Sequence, residues 1–295
     1  MSSIMATPAA DAFTVNCIET AILTFVTWDF LVCFTEEFSV AVICGCSRSI
    51  LVYYTSRMGT LMLSVMRLVM LNAPMAQGCI IMWKIETTVL VLASSATSLL
   101  FLLRVRAVYE KSTPVTILFG VLWITIPLSC TLIGFVGNPS HTSSGLCSLS
   151  DIHLGAYATM AQWVKVVYDT SVFAAITLRV ISYSKADCVQ VPKLSPWQSW
   201  RGVGMPRIFR VLLHSALQFY FVTIGVTLMG ACAILLPIAS IDRVGLAQPA
   251  LAFETIMACR VFRTLVLNSA KSREGRSHRD SIMLTTVFVL DAELT

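Results

Sequence analysis

Between Ile117 and Val136 the chain reads ILFGVLWITIPLSCTLIGFV, without one charged side chain. A helix of that length is about 30 Å long, matching the hydrocarbon thickness of a bilayer. In water it would expose apolar surface with nothing to cover it, whereas in lipid a helix satisfies its own backbone polar groups. The run FYFVTIGVTLMGACAILLP, from Phe219 to Pro237, repeats the feature. Composition extends it to the whole chain: 56% of the 295 residues are hydrophobic and 13% charged, against roughly a quarter charged in an ordinary soluble domain. Lipid is therefore the solvent for this fold. The excess of Lys and Arg over Asp and Glu, 21 against 16, lies in loops between apolar runs, so it does not form the soluble basic face that nucleic acid requires.

Stretches of about 20 mainly apolar residues predict seven transmembrane helices. They run from Ala12 to Phe34, Ser49 to Leu71, Ile80 to Leu103, Val115 to Val136, Leu154 to Val180, Val211 to Leu236 and Leu246 to Leu267. The fifth contains Lys165 and Asp169, and the seventh contains Glu254 and ends on Arg260 and Arg263, so hydropathy alone supports these two less. Loop charge supplies the missing argument, because Lys and Arg near span ends collect on the cytosolic side. With the N-terminus outside, the inner segments and the C-terminal tail hold sixteen of the 21 basic residues, among them Arg104, Arg106, Arg260 and Arg263, and the outer segments hold only Arg243. The fold expected is an all-α, polytopic bundle of seven transmembrane helices with the C-terminus in the cytosol. One domain covers 1–267, and the tail, 268–295, is expected to be disordered. The first span is expected to act as its own targeting signal, since no basic residue precedes it. The third inner loop, 181–210, is long, basic and interrupted by Pro and Gly, which makes it the expected docking place for a cytosolic partner.

Ionisable side chains inside spans are costly and usually face the bundle interior. Asp29, Arg57, Glu86, Lys165, Asp169 and Glu254 are therefore the candidate intramembrane polar or ligand site. Lys165 and Asp169, four apart on one helix, are placed to form a local ion pair. Asp29 and Arg57 lie in the inner halves of adjacent spans, where they are placed to pair across them; for each pair, a structural tie and a functional polar cavity both remain open. Cys79, just before the third span, and Cys147, in the second outer loop, fall on the side where disulfides persist, and are expected to pair. Two free outer thiols are the alternative. Thr87, Thr88, Ala93, Ser94, Ser95, Ala96, Thr97 and Ser98 predict close helix packing along the third span. Trp28, Trp83, Trp163 and Tyr109 suit interfacial anchors, and Cys44, Cys46 and Cys259 are placed near the inner surface, where palmitoylation is the pattern.

Five strings, in this order and spacing, carry a family resemblance: WDFLVCFTEEF, YYTSRMGTL, TSLLFLLRVRAVYE, LQFYFVTIGVTLMG and MACRVFR. The chain resembles the uncharacterised seven-helix membrane proteins of basidiomycete fungi that carry a domain of unknown function over their N-terminal helices. The resemblance spans about Ile18 to Leu267 and implies a seven-helix architecture and a fungal source, with no activity attached. It marks Asp29, Glu37, Arg57, Cys79, Arg104, Arg106, Arg260 and Arg263 as recurring polar positions.

No enzyme is expected, because no HExxH, GxSxG or P-loop pattern occurs. No cofactor or metal is expected either, and the seventh span lacks the lysine that a retinal Schiff base needs. The expected partners are the bilayer, an unidentified ligand and a cytosolic protein, in the plasma membrane or an endomembrane. Seven spans and an outside N-terminus favour a receptor-like or sensory role. The missing Asp/Glu-Arg-Tyr and Asn-Pro-x-x-Tyr motifs leave a small-solute or ion transporter, or a non-catalytic scaffold, as the other readings.

Overall fold

The apolar runs become helices, and where their polar residues fall decides how the helices meet. The computed structural model describes residues 8–45, 47–73, 78–109, 112–137, 139–141, 147–149, 152–187, 221–232 and 247–275. The helices are α1 (Pro8–Val32), α2 (Phe34–Cys44), α3 (Arg48–Asn72), α4 (Cys79–Val108), α5 (Thr113–Val136), α6 (Ile152–Asp187), α7 (Phe221–Cys232) and α8 (Ala247–Gly275). A hairpin of β1 (Pro139–His141) and β2 (Cys147–Leu149) joins α5 toward α6, with Ser140 opposite Ser148. The fold is thus helical, with strand confined to this hairpin among the described residues.

Three of the described helices are long and apolar enough to cross a membrane: α1 over Phe13–Val32, α4 and α5. The α3, α6 and α8 helices, of 25, 36 and 29 residues, have the length but carry charges. Those charges turn inward. On α3, Arg57 is buried while Leu51, Met58, Met62 and Val65 are exposed on the outer face. On α6 and α8, Lys165, Asp169, Glu254 and Arg263 are buried. A hydropathy averaged round such a helix understates its exposed apolar side, since the polar residues collect where helices face each other.

The first expected span, Ala12 to Phe34, is continued by a second helix. α1 and α2 are one helix bent at Cys33, whose amide donates to the Asp29 carbonyl (3.1 Å) and whose carbonyl accepts from the Glu37 amide (3.0 Å). Gly45, at φ +56°, then lets the chain reverse into α3. Antiparallel pairing sets the level: Asn72 donates to Asn16 (3.0 Å) at one end, and Tyr53 and Tyr54 donate to Glu37 at the other (3.2 and 3.5 Å). Phe34, Phe38 and Val42 continue an exposed apolar stripe down α2. The helix therefore continues past Phe34 and carries Glu36 and Glu37, while the part of it long and apolar enough to cross a membrane is Phe13–Val32.

Around the bundle α1 packs on α3, α3 on α4, α4 on α5 and α5 on α6, while α8 packs against α1 to α4. The α3–α4 crossing is the closest kind: a Cβ at Gly59 would come 2.9 Å from the Ala93 Cβ. Small residues buy that approach in a membrane bundle. Tyr53, Leu100, Val105, Ile126, Tyr168, Val172, Ala258 and Phe262 form the main apolar core.

Candidate functional site: tiers of buried charge

The ionisable residues of the bundle gather at three levels. Ten residues of α3 separate Arg57 from Arg67, about 15 Å of helix, and α3 carries on these two side chains the levels named inner and outer after the orientation that loop charge predicts.

At the inner level Arg57 and Arg263 face Asp29, Glu36 and Glu37. Arg57 Nη1 lies 2.9 Å from Asp29 Oδ2, its Nη2 donates to the Asp29 carbonyl (3.1 Å), and its Nε contacts Glu37 Oε1. Arg263 lies 3.3 Å from Glu36 and 3.5 Å from Glu37, and donates to Tyr53 Oη (3.3 Å) and to Cys33 Sγ (2.7 Å). Tyr53 in turn donates a 3.2 Å hydrogen bond from its hydroxyl to Glu37 Oε1. Arg104 closes the level from α4 by donating to the Ala258 carbonyl on α8. Glu37, Arg57, Arg104 and Arg263 are all buried, so these bonds form where water competes little and each is correspondingly strong.

The middle level combines a triad with a hydroxyl chain. Lys165 Nζ on α6 lies 2.5 Å from Glu254 Oε2 on α8. Asp169, one turn along α6, sits within the field of both, and among the described residues neither of its carboxylate oxygens has a hydrogen-bond donor. Beside them Ser56 bonds Thr97 (2.6 Å), Thr97 bonds Thr255 (3.2 Å) and Thr60 donates to Thr255 (3.0 Å), joining α3, α4 and α8.

The outer level is a second triad. Arg67 Nε lies 2.6 Å from Glu86 Oε1, and Glu19 of α1 feels the charges of both while its Oε2 is buried without a hydrogen bond among the described residues. Beyond it, a disulfide joins Cys79 at the start of α4 to Cys147 of β2, with 5.8 Å between their Cα atoms.

The sequence expectations meet this geometry unevenly. Asp29 with Arg57, and Cys79 with Cys147, are brought together. Lys165 reaches across to Glu254 rather than only along its own helix to Asp169, because a partner on α8 lies closer than the next turn. Arg104 and Arg263, expected among the cytosolic basic residues, are interior ties; Arg260 is exposed and Arg106 half-buried. Trp83 is also interior, packed where a Cβ at Gly137 would meet its ring, whereas Trp28 is exposed as an anchor should be. Cys259 is wholly buried, out of reach of acylation. Glu19, Glu36 and Arg67 are the site residues that sequence reasoning passed over. Glu19 carried a signal, a lone acid within an apolar run. Segment 188–210 of the third inner loop, Cys46 and the tail beyond Gly275 lie outside the described residues.

Along the outer face of α1, Phe13, Asn16, Cys17, Thr20, Phe25 and Trp28 line a groove of about 770 Å³, built from one helix. It is a surface groove, not a site with converging polar groups. Among the described residues no group of three or more His, Cys, Asp or Glu is placed to hold a metal ion. No protein-family model matches the chain, and no curated protein matches it.

Proposed function

We propose that this is an integral membrane protein of seven crossings, with its N-terminus outside and its C-terminus in the cytosol, working as a receptor-like sensor. The inner level carries the reading: Arg57 and Arg263 latch α1, α2, α3 and α8 together through Asp29, Glu36 and Glu37. This is the end of the bundle to which the loop-charge argument assigns the cytosol. An ion-pair lattice joining the bent α1–α2 helix to α3 and α8 is either made or broken, which is the bistable element that a ligand bound elsewhere needs in order to be reported. At the opposite end the Cys79–Cys147 bridge holds the outer loop against α4. The segment 181–210 is the proposed cytosolic docking place, and the fungal family resemblance belongs to the same proposal. The ligand is unidentified.

A transporter of a small solute or ion is the second reading, favoured by the charges of the middle level at the centre of the bundle. Spin labels on the exposed Arg48 of α3 and Thr264 of α8 separate the two. Purified protein is screened for compounds that raise its thermal stability, as any ligand of the folded state must. A sensor lengthens the Arg48–Thr264 distance with a stabilising compound, and Glu37→Gln lengthens it without one. A distance unmoved by Glu37→Gln and by every stabilising compound refutes the sensor, and uptake of such a compound by proteoliposomes establishes the transporter.

A further inference from the structure

The middle triad has an arithmetic that its ion pair does not settle. Two carboxyls, Asp169 and Glu254, share one ammonium, Lys165, and the three are 4, 1 and 6% exposed. Ionised throughout, the triad would hold one uncompensated negative charge in the middle of the bundle, which a low-dielectric interior opposes strongly. Glu254 holds the ammonium at 2.5 Å, whereas both Asp169 oxygens are buried without a donor among the described residues. Among the described residues the other groups facing the triad bring no second cation. From α5 the Cys130 thiol is buried beside Lys165 and Glu254. On α6, Tyr168 donates its hydroxyl to the Ser98 carbonyl of α4 (2.8 Å). On α4 the charged residues Glu86 and Arg104 belong to the other two levels.

We propose that Lys165, Asp169 and Glu254 form a proton-binding site, in which Asp169 carries one exchangeable proton while Lys165 and Glu254 hold α6 to α8. A proton fits where a metal cation does not. A metal within reach of both carboxyls would sit against the Lys165 ammonium, and a proton needs no coordination shell. The site also has a mechanical consequence. Among the described residues α6 packs on α4 and α5 and α8 on α1 to α4, so Lys165–Glu254 bridges two helices whose backbones do not pack closely together. When α6 and α8 part and water enters, the proton leaves an Asp169 oxygen for water and the carboxylate that remains is solvated. The packed state binds one proton more than the parted state, so lowering the pH favours packing and raising it favours parting. This holds whether the protein senses or transports.

Infrared spectroscopy of the purified, reconstituted protein reads the proton directly, through the C=O stretch of an un-ionised carboxyl and its downshift in D2O. The difference between wild type and Asp169→Asn at neutral pH is expected to contain that band, and the thermal midpoint of wild type is expected to rise from pH 8 to pH 6 while that of Asp169→Asn stays level. Lys165→Met, which removes the ammonium and leaves both carboxyls, is expected to show a larger band than wild type. This variant decides the matter if Asp169→Asn does not fold. A flat difference spectrum, or an undiminished pH slope in Asp169→Asn, overturns the proposal; an unchanged band in Lys165→Met does so as well.

Discussion

Replacing Arg57 by Gln removes the charge that holds Asp29 at 2.9 Å and touches Glu37 from the opposite side of the guanidinium. Glu37 keeps Arg263 at 3.5 Å and the Tyr53 hydroxyl at 3.2 Å, but Asp29 loses its cation. Removing one partner of a buried pair costs about 3–5 kcal/mol, because the charge left behind is uncompensated. The Asp29 side chain is 16% exposed, so water relieves part of that cost and the lower end, about 3 kcal/mol, is expected. Asp29→Asn costs less, since Arg57 keeps Glu37. The double variant then costs less than the sum of the two, with a coupling of about 1–3 kcal/mol, as for residues in one ion-pair network. Denaturant unfolding in mixed micelles reads all three, with the exposed Arg48→Gln as a control expected to leave the midpoint in place. An Arg57→Gln variant that loses less than about 1 kcal/mol, or strict additivity in the cycle, refutes the direct pairing and with it the latch.

Further outcomes follow from other contacts. Gly59→Leu drives side-chain atoms into Ala93, whose Cβ would stand 2.9 Å from even a bare Cβ. It is expected to lower stability by about 1–3 kcal/mol, with part of the loss recovered by adding Ala93→Gly. Thr255→Val breaks the bonds to Thr60 and Thr97 and is expected to cost about 1 kcal/mol, the usual scale for hydroxyl bonds between membrane helices; a thermal scan checks it. Alkylation before and after reduction is expected to reveal two additional thiols, Cys79 and Cys147. Their replacement by Ser lowers stability by about 2–4 kcal/mol, the typical worth of a disulfide, and full alkylation without reductant would contradict the bridge.

Apolar run length was legible in the sequence because lipid imposes it residue by residue: the uncharged run through Ile126 is a helix in the structure. Residues that meet only through the tertiary fold were less so. Asp29 and Arg57 were readable because two adjacent antiparallel helices bring fixed depths together, whereas Glu254 finds Lys165 across helices that are not neighbours in the chain. Glu36 and Glu37 were harder to read, since two adjacent acids just past an apolar run give no sign that Arg57 and Arg263 face them. Arg104 and Arg263 were hard to read for the same reason, because a basic residue near the end of an apolar run gives no sign of the carbonyl or carboxylate that another helix brings to it.

The crossing count and orientation underlie the sensor proposal, and glycosylation mapping tests them most directly. The only natural Asn-x-Ser/Thr match is Asn138-Pro139-Ser140, which proline disqualifies, so the background is blank. Acceptor sites introduced singly into the N-terminus, 74–77, 142–146 and 238–243 are expected to gain a glycan. Sites introduced at 110–111, within 188–210 and after Arg276 are expected to gain none. A glycan on the tail, or on both 142–146 and 188–210, would contradict the seven-crossing arrangement.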